Sequence, residues 1–306
     1  MSTHIDSMVE QFKALADPQR LRVVALCRAG ELSVSELTEV LGQSQPRVSQ
    51  HLKALCAAGL LDRFRDGKRV YYRLASQPSP LQRKLVALIN ADAEAFGDDT
   101  RRLRRLRSGN LRDTDGAGET DRAIAGALIE LTVTQPVGDL LDIGCGRGRV
   151  LKLLASRANR AVGIDIDSES RDIARTELFM AGAENCSLRK GNMHQLDFDA
   201  DSFDTVILDD VLGDAERPAD VLAESQRVLR PAGRIFILQS IAGLDAAVVG
   251  KELATMANEL GLRLAPPKML PPTQRAWLLS VLTRTATKTT TQKPIGERES
   301  SLAAVR

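Results

Sequence analysis

The 306-residue chain is predicted to be an α/β protein, with a small helical N-terminal domain and a larger C-terminal domain built on a parallel sheet. One observation is a pair of short helices that are joined by a glycine-containing turn and followed by a basic hairpin. A second is the succession of buried strand, glycine turn and helix over residues 140–150. A third is the charge distribution, because residues 1–110 carry eighteen Lys and Arg against twelve Asp and Glu, whereas the remainder is net acidic.

Composition limits the classes to which the chain can belong. Hydrophobic residues make up 43% of the chain and aromatic residues only 3%, so Leu, Val, Ile and Ala are expected to fill the cores. The four cysteines lack C-x-x-C spacing and the N-terminus does not resemble a signal peptide, which favours a reducing, cytoplasmic location. Apolar runs stay short of the roughly 18 residues that a membrane-spanning helix needs, so no membrane partner is expected.

Local capping signals predict the first three helices. Apolar residues recur at helical spacing over residues 5–16. Asp17 and Pro18 then start a second helix, with Asp as the N-cap and Pro in the first turn. Ser33 opens a third helix, in which Glu36 completes a capping box. The third helix ends at a glycine, which begins the turn into a fourth.

The fourth helix, from Ser44 to Gly59, forms a helix-turn-helix with the third. Two extended runs follow, and the hairpin dipeptide Asp66-Gly67 separates them. Between Ser44 and Arg73 there are seven Lys and Arg but only two Asp and Glu. This local excess of positive charge indicates contact with the phosphates of a nucleic acid.

The residues predicted to contact DNA belong to these two elements. Side chains on the first turns of the fourth helix would reach base edges, and basic side chains of the hairpin would contact phosphates. For His51 the sequence favours helix packing or phosphate contact over metal binding. The predicted set is Ser44, Gln45, Arg47, Ser49, Gln50, His51, Arg65, Lys68 and Arg69.

The order of these elements resembles that of the ArsR/SmtB family of winged-helix transcriptional regulators, over about residues 8–75. The resemblance is carried by DPQRLRVV at 17–24, SQPRVSQHLKAL at 44–55 and DGKRVYY at 66–72. It implies a homodimer that binds a palindromic operator in double-stranded DNA. The first helix and a further helix predicted over residues 79–96 would form the dimer.

The metal chemistry of that family is not expected here. Metal-sensing members carry two cysteines in the third helix, where this chain has Ser33 and Ser35. Serine is a poor ligand for soft metals, and the three histidines of the chain do not form a cluster. No metal site is therefore predicted.

Composition also suggests the domain boundaries. We assign an N-terminal domain to residues 1–96 and a C-terminal domain to residues 120–284. Residues 97–119 are charged, contain glycine and have few apolar side chains, which predicts an interdomain linker. The run RRLRRLR within this segment is as compatible with contact to DNA as with a solvated segment or a helix end. The polar tail, residues 285–306, is predicted to be disordered.

The glycine turn predicts a nucleotide-binding site. Asp142, Gly144, Gly146 and Gly148 stand at the junction of strand and helix, and three glycines in five residues remove the Cβ atoms that would keep a ligand from the backbone. The dinucleotide pattern G-x-G-x-x-G is not met, because Arg149 stands where its third glycine would be. A glycine turn alone is a weak signal, so the segments that follow it decide which ligand is expected.

A carboxylate is predicted at the end of the next strand. Asp165 lies seventeen residues beyond Gly148, near the spacing expected for an acidic residue that accepts hydrogen bonds from ribose hydroxyls. Asp167 is a nearby competitor for this role. Strand, glycine turn, helix and acidic strand end together predict a site for an adenosine-containing ligand.

These features resemble those of class I S-adenosylmethionine (SAM)-dependent methyltransferases, in detail over residues 138–240. The pattern acidic-x-G-x-G-x-G, the segment KGNMHQLDF and the strand DSFDTVILDD carry the resemblance. It implies a Rossmann-like fold and SAM as the cofactor. Asn192 would then accept a hydrogen bond from adenine, where the family usually has Asp, Met193 would pack on the ring, and Asp209 would lie near the sulfonium.

No catalytic residue is predicted. The sulfonium of SAM is already a strong methyl donor, so positioning an acceptor in line supplies much of the acceleration. His194 and Asp209 are candidate bases, and the sequence favours neither.

Together, these features predict an ArsR-type, DNA-binding transcriptional regulator that is fused to a SAM-binding methyltransferase domain. Two roles of the second domain stay open: methylation of a small molecule, and sensing of SAM or S-adenosylhomocysteine (SAH) through a change in operator affinity. The alternative is a plain methyltransferase whose winged helix serves mainly for dimerisation. Because the fusion of two such domains suggests linkage, ligand and operator are expected to affect each other's binding, through the linker.

Overall fold

The computed structural model describes residues 2–90, 96–108, 118–241, 243–272 and 276–285. These residues form an N-terminal helical domain and a C-terminal α/β domain with separate buried apolar clusters, which confirms the predicted fold class. All but the first residue of the predicted disordered tail lies outside the described residues. Within the described part of the chain, no helix is both long enough and apolar enough to cross a membrane.

The second and third helices of the N-terminal domain begin directly after the N-cap residues that the sequence predicted. Asp17 accepts hydrogen bonds from the backbone N–H groups of Gln19 and Arg20, at 2.9 and 3.0 Å, and thereby caps the second helix. Ser33 and Glu36 form the predicted capping box. The helices are α1 (Ser2–Leu15), α2 (Pro18–Arg28), α3 (Val34–Leu41), α4 (Gln45–Ala57), α5 (Pro80–Asn90) and α6 (Gly97–Ser108).

A three-stranded antiparallel sheet completes this domain, in the order β1-β3-β2. Asp66 pairs with Arg69 across the predicted hairpin turn, and Gly67 has a φ of +57°, a left-handed value that glycine adopts without strain. Strands β2 and β3 are the basic hairpin that the sequence predicted. The strands are β1 (Leu32–Ser33), β2 (Leu61–Asp66) and β3 (Arg69–Leu74).

The C-terminal domain contains an eight-stranded sheet whose central strands are parallel. The strand order is β10-β11-β8-β7-β4-β5-β6, and β9 also pairs with β11. Because β5 and β7 flank β4 on opposite sides, the chain order reverses at β4, and ligands of such sheets bind at the carboxyl ends of the strands at this point. The strands are β4 (Gly138–Ile143), β5 (Ala158–Asp165), β6 (Cys186–Lys190), β7 (Phe203–Asp209), β8 (Leu229–Ser240), β9 (Leu262–Leu264), β10 (Lys268–Leu270) and β11 (Trp277–Arg284).

Helices cover both faces of this sheet, as expected for parallel strands that are apolar on both sides. Along β7, Val206 and Leu208 belong to one apolar cluster and Ile207 to the other, so alternate side chains pack against opposite layers. The apolar contacts with the helices on both faces thereby fix the positions of the strand ends. The helices are α7 (Glu119–Thr134), α8 (Arg149–Leu154), α9 (Ser168–Met180), α10 (Pro218–Val228) and α11 (Ala246–Glu259).

Helix α6 occupies the first half of the segment that was predicted to be a linker. Leu103 is fully buried in the N-terminal core, and Arg107 is 3% exposed. Arg107 donates hydrogen bonds to the Glu36 carboxylate at 2.8 Å and to the Glu31 carbonyl at 2.7 Å. Residues 97–108 are therefore an integral helix, and only 109–117, which lie outside the described residues, still separate it from residue 118.

The two domains pack against each other along α9. Tyr71 of the hairpin donates a hydrogen bond to Asp172 of α9 at 2.6 Å. At the other end of α9, Phe179 is buried in the apolar core of the N-terminal domain. The domains thus share an extensive, partly buried contact in addition to their covalent connection.

Candidate functional site

The glycine turn joins β4 to α8 at the carboxyl edge of the sheet. Gly144, Gly146 and Gly148 have φ values of +69°, +51° and +78°, which are left-handed conformations. A Cβ on Gly144 would lie 2.7 Å from Cγ2 of Val211, so packing against the segment after β7 also requires glycine there. A Cβ on Gly146 would meet no protein atom within 4 Å. The backbone of Gly146 is therefore the part of the turn that a ligand can approach.

Asp165 ends β5 and is held against this turn. Its Oδ2 accepts a hydrogen bond from the N–H of Gly146, and its Oδ1 accepts one from the N–H of Asp167, both at 2.8 Å. Each carboxylate oxygen keeps a further lone pair for a ligand hydroxyl. Asp167, the competitor for this role, instead caps α9 by accepting from the N–H of Ser170 at 2.7 Å.

Asp142 is a buried carboxylate without a donor. It is 1% exposed, and neither of its carboxylate oxygens has a hydrogen-bond partner among the described residues. Burial raises the pKa of Asp142 well above its ordinary value, and the negative charge of Asp209 adds to this effect. An unsatisfied buried carboxylate is costly, so this position suits a positively charged hydrogen-bond donor on a ligand.

Asp209 ends β7, and Arg149 already holds its carboxylate. Nε and Nη2 of Arg149 donate to the two Asp209 oxygens at 3.1 and 2.6 Å, while Nη1 donates to Asp121 of α7 at 2.9 Å. The guanidinium also lies 5.1 Å from the ring centroid of Trp277 in β11. Sequence reasoning treated Arg149 only as a break in the glycine pattern, because its partners come from three distant elements.

A cavity of about 530 Å³ opens beside Arg149, between α7 and α8. Its walls are largely apolar, with Ile124 and Leu128 of α7 facing Val150 of α8, while Asp121 and Arg149 lie at its polar side. A space of this size accommodates a small organic molecule.

The segment after β6 holds the residues that were predicted to contact adenine. The side-chain oxygen of Asn192 accepts a hydrogen bond from the N–H of His194 at 3.0 Å, so it already serves a local turn and keeps one lone pair. Met193 is half-buried and packs against the apolar cluster on one face of the sheet. The Nδ1 atom of His194 is buried without a hydrogen-bond partner in the described structure. The sequence neighbours 192–194 thus have three different surroundings.

The first turns of α4 present the predicted base-contacting residues. Val48 and Leu52 are fully buried and fix the helix in the N-terminal core. Ser49 and Gln50, between these anchors, therefore face outward, as the helical period requires. The exposed predicted residues are Ser44, Gln45, Arg47, Ser49 and Gln50. His51 is half-buried, and its Nδ1 lies 3.9 Å from the carboxylate of Asp17, which favours a packing role.

The three basic residues predicted in the hairpin differ in their contacts. Arg65 and Lys68 are exposed. Arg69 is also exposed, with 64% of its side chain accessible, and it donates a hydrogen bond to Asp172 of α9 at 2.8 Å. All three predicted phosphate contacts are thus open to solvent, and Arg69 is in addition engaged with the C-terminal domain.

Ser33 and Ser35 lie at the start of the third helix. Ser33 is committed to the cap of α3, where its hydroxyl accepts from the N–H of Glu36 at 3.3 Å. Among the residues that the structure describes, no group of three or more His, Cys, Asp or Glu side chains could hold a metal ion.

Two family models match the chain. The model described as the bacterial regulatory protein, arsR family, matches residues 17–63, and the model described as the methyltransferase domain matches residues 141–237. The two matches coincide with the helix-turn-helix region and with the parallel part of the large sheet.

Two bacterial regulators and one solved structure are similar to parts of this chain. The arsenic resistance transcriptional regulator ArsR1 of Pseudomonas putida is 42% identical over 97 residues, which cover 31% of this chain and 76% of that protein. The regulator ArsR2 of the same organism is 37% identical over 105 residues, which cover 34% of this chain and 91% of that protein. A solved SAM-dependent methyltransferase from Aquifex aeolicus is 15% identical, covers 55% of this chain and 93% of its own, and superposes with a TM-score of 0.48.

Proposed function

Because the chain belongs to the ArsR family of bacterial regulatory proteins and carries a methyltransferase domain, we propose that it is a DNA-binding transcriptional regulator whose second domain binds SAM or SAH. The observation that carries the proposal for the second domain is the unpartnered, buried carboxylate of Asp142. The fixed carboxylate of Asp165 and the open backbone of Gly146 support it.

The donor and acceptor chemistry of these residues fits the ligand. SAM and SAH carry an α-ammonium group, and such a group would satisfy the Asp142 carboxylate. The free lone pairs of Asp165 suit ribose hydroxyls, and Asn192 and Met193 are proposed to border the adenine. When bound, SAM supplies an activated methyl group. Asp209, paired with Arg149, is proposed to border the sulfur end of the ligand.

Calorimetry with SAM and with SAH tests this assignment. Asp165→Ala removes two charge-assisted hydrogen bonds, each worth about 1.5–3 kcal/mol, so we expect binding to weaken by at least about a hundredfold. Gly146→Val places a branched side chain on the open face of the turn and forces a left-handed φ on it, so it should abolish binding. Asp199→Ala, at an exposed aspartate of the same domain, is the matched control. Parent-like binding by both site variants contradicts the assignment.

We further propose that α4 and the basic hairpin bind duplex DNA. The exposed polar face at the start of α4 and the exposed Arg65 and Lys68 support this. Arg47→Ala is expected to relax sequence preference. Lys68→Ala is expected to weaken all duplexes and to lower the slope of log affinity against log salt by about one unit. Lys251→Ala, on α11 of the other domain, is the control. A footprint of the region upstream of the chain's own coding sequence without a protected inverted repeat counts against the proposal.

Ligand sensing is the role of the second domain that we favour. Arg171 donates hydrogen bonds both to the backbone carbonyl of Asp165 in the candidate site and to Asp66 in the hairpin, so a ligand at this site has a direct connection to the DNA-binding element. The cavity beside Arg149 supports the second candidate, methylation of a small molecule. Operator titrations without ligand, with SAM and with SAH at fixed salt separate the two. Three superimposable curves, together with demonstrated ligand binding, contradict sensing and leave a methyltransferase that is tethered to DNA.

A further inference from the structure

The tip of the basic hairpin is buried against the C-terminal domain. The Asp66 side chain is 2% exposed and lies between two arginines of α9, Arg171 and Arg175. Nε of Arg171 donates to both carboxylate oxygens at 3.1 and 2.9 Å, and Nη2 of Arg175 donates to Oδ2 at 2.6 Å. Both arginines are themselves buried. A charged group of the hairpin therefore stays desolvated only while the two domains remain in contact.

This contact extends along the hairpin. A Cβ built on Gly67 at the tip lies 3.4 Å from Cβ of Ser168, the first residue of α9. Further along, Asp172 binds both Arg69 and Tyr71. Helix α9 therefore covers one side of the hairpin from its tip into β3.

Arg171 also reaches the candidate cofactor site. Its Nη1 donates a hydrogen bond to the backbone carbonyl of Asp165 at 2.8 Å. The carboxylate of the same Asp165 binds the N–H of Gly146 in the glycine turn. A single guanidinium thus contacts the hairpin tip on one side and a residue of the candidate cofactor site on the other.

The docked arrangement opposes the binding of DNA by the hairpin. Arg69, one of the predicted phosphate contacts, is 64% exposed, but its charge is paired with Asp172. The tip residue Asp66 is inaccessible, and the exposed acidic side chains Asp167 and Glu169 stand at the start of α9 beside it. Phosphates brought to this side of the hairpin would meet negative charge and a neighbouring domain.

We infer that Asp66, Arg171 and Arg175 form a lock, here called the hairpin lock, which holds the hairpin in a position that binds DNA poorly and through which a ligand at Asp165 changes operator affinity. The inference rests on the proposed function and adds the route of regulation. The inferred route is the direct contact between the domains. The sequence had instead predicted that the linker couples them. Since apparent affinity falls in proportion to the fraction of competent molecules, a lock that is closed in about nine of ten molecules weakens binding about tenfold.

A reversible cross-link tests the lock. The Cβ separation of 3.4 Å is close to the roughly 3.5–4.5 Å found in disulfides, so Gly67→Cys with Ser168→Cys is expected to join hairpin and α9 upon oxidation. The probe is a duplex that the parent chain selects from a randomised pool. The oxidised double variant should bind it at least about tenfold more weakly than the reduced form, and a reductant should restore binding. The two single variants, treated in the same way, are the controls.

Removal of the lock gives the opposite result. Arg171→Met leaves Asp66 one arginine partner and should bind the same duplex about tenfold more tightly than the parent without ligand. Its titrations with and without SAH should coincide, although calorimetry still detects SAH binding. Arg217→Met replaces an exposed arginine of the same domain and is the control. Thermal unfolding verifies that each variant is folded.

The outcomes separate the lock from the proposed function. A parent chain that selects no duplex contradicts DNA binding and, with it, the lock. A parent that binds duplex and responds to SAH, while the cross-linked double variant binds as tightly as its reduced form, overturns the lock alone. The lock alone is also overturned if the variant Arg171→Met retains both the affinity and the ligand response of the parent.

Discussion

At the scale of single residues, the candidate cofactor site contains two carboxylates with opposite environments. Asp165 accepts two backbone N–H groups, whereas Asp142 accepts no hydrogen bond from the described residues and is buried. Burial of an unsatisfied carboxylate lowers the free energy of unfolding of the chain without ligand. Asp142 therefore lowers the free energy of unfolding of the chain without ligand. A ligand that donates a hydrogen bond to Asp142 would raise this free energy again.

The burial of Asp142 predicts that its replacement increases stability and weakens ligand binding. Asp142→Asn removes the charge at constant shape, and at neutral pH we expect it to raise the free energy of unfolding by about 1–3 kcal/mol without ligand. Because burial raises the pKa of Asp142, the folded parent binds its proton more tightly than the unfolded chain, and parent stability falls as pH rises above the ordinary pKa. The advantage of the variant should thus vanish near pH 3.8 and grow with pH. Thermal unfolding over this range, with and without SAM, measures it; a destabilised variant that binds SAM like the parent contradicts the prediction.

Residues with local signals were predictable from sequence, and residues with distant partners were not. Asp17 and Ser33 cap helices within three residues of themselves, and the glycines of the turn lie within one segment. Asp66 was recognised only as half of a turn dipeptide, because its partners Arg171 and Arg175 lie more than one hundred residues away. No pattern within either segment indicates that pairing.

At the scale of elements, α6 is the clearest departure from the sequence prediction. Its charged composition masked a helix whose buried face consists of residues one helical turn apart, Asp99, Leu103 and Arg107. Asp98 and Asp99 stand in its first turn and Arg105 in its last, which complements the helix dipole. Packing against α3 and α9 stabilises α6, although its composition is mostly charged.

If α6 is an integral helix, Leu103→Ala should be costly. Truncation of a fully buried leucine leaves a cavity and lowers the free energy of unfolding by about 2–5 kcal/mol. Arg104→Ala, at an exposed neighbour on the same helix, should change it by less than about 0.5 kcal/mol. Chemical denaturation of the full chain compares them, and equal midpoints are the result expected of a linker.

Helices α1 and α5 carry exposed apolar side chains. Ile5, Val9 and Phe12 are 62%, 41% and 51% exposed, and Leu88 of α5 is 70% exposed. Such residues on the two helices that the family resemblance assigns to the dimer favour contact with a second copy of the chain.

We therefore predict that Phe12→Ser weakens self-association. Loss of a large apolar contact on each of two symmetry-related subunits should shift the dimerisation constant by at least about tenfold. Sedimentation equilibrium measures this shift. Val133→Ser alters an apolar residue of α7 that is 74% exposed and should leave the constant unchanged. A parent chain that is monomeric at all concentrations contradicts the proposed dimer.

At the scale of the whole molecule, the shared interface makes linkage between the two domains testable from either side. If SAH changes operator affinity by some factor, operator DNA must change SAH affinity by the same factor, typically about 5–150-fold. Calorimetric titration of SAH into free and duplex-bound protein measures the second factor, and gel-free operator titrations measure the first. Unequal factors at the same salt and pH would indicate that another equilibrium, such as dimerisation, is coupled to both.

Burial of Asp66 beneath α9 also bears on how fast the protein finds DNA. A molecule whose hairpin must detach before it can bind has an association rate that rises with DNA concentration only until detachment becomes limiting. Above that concentration the observed rate is constant and equals the opening rate of the interface. Stopped-flow mixing with excess duplex would therefore report the lifetime of the closed molecule directly, as a plateau that salt concentration shifts much less than it shifts the initial slope.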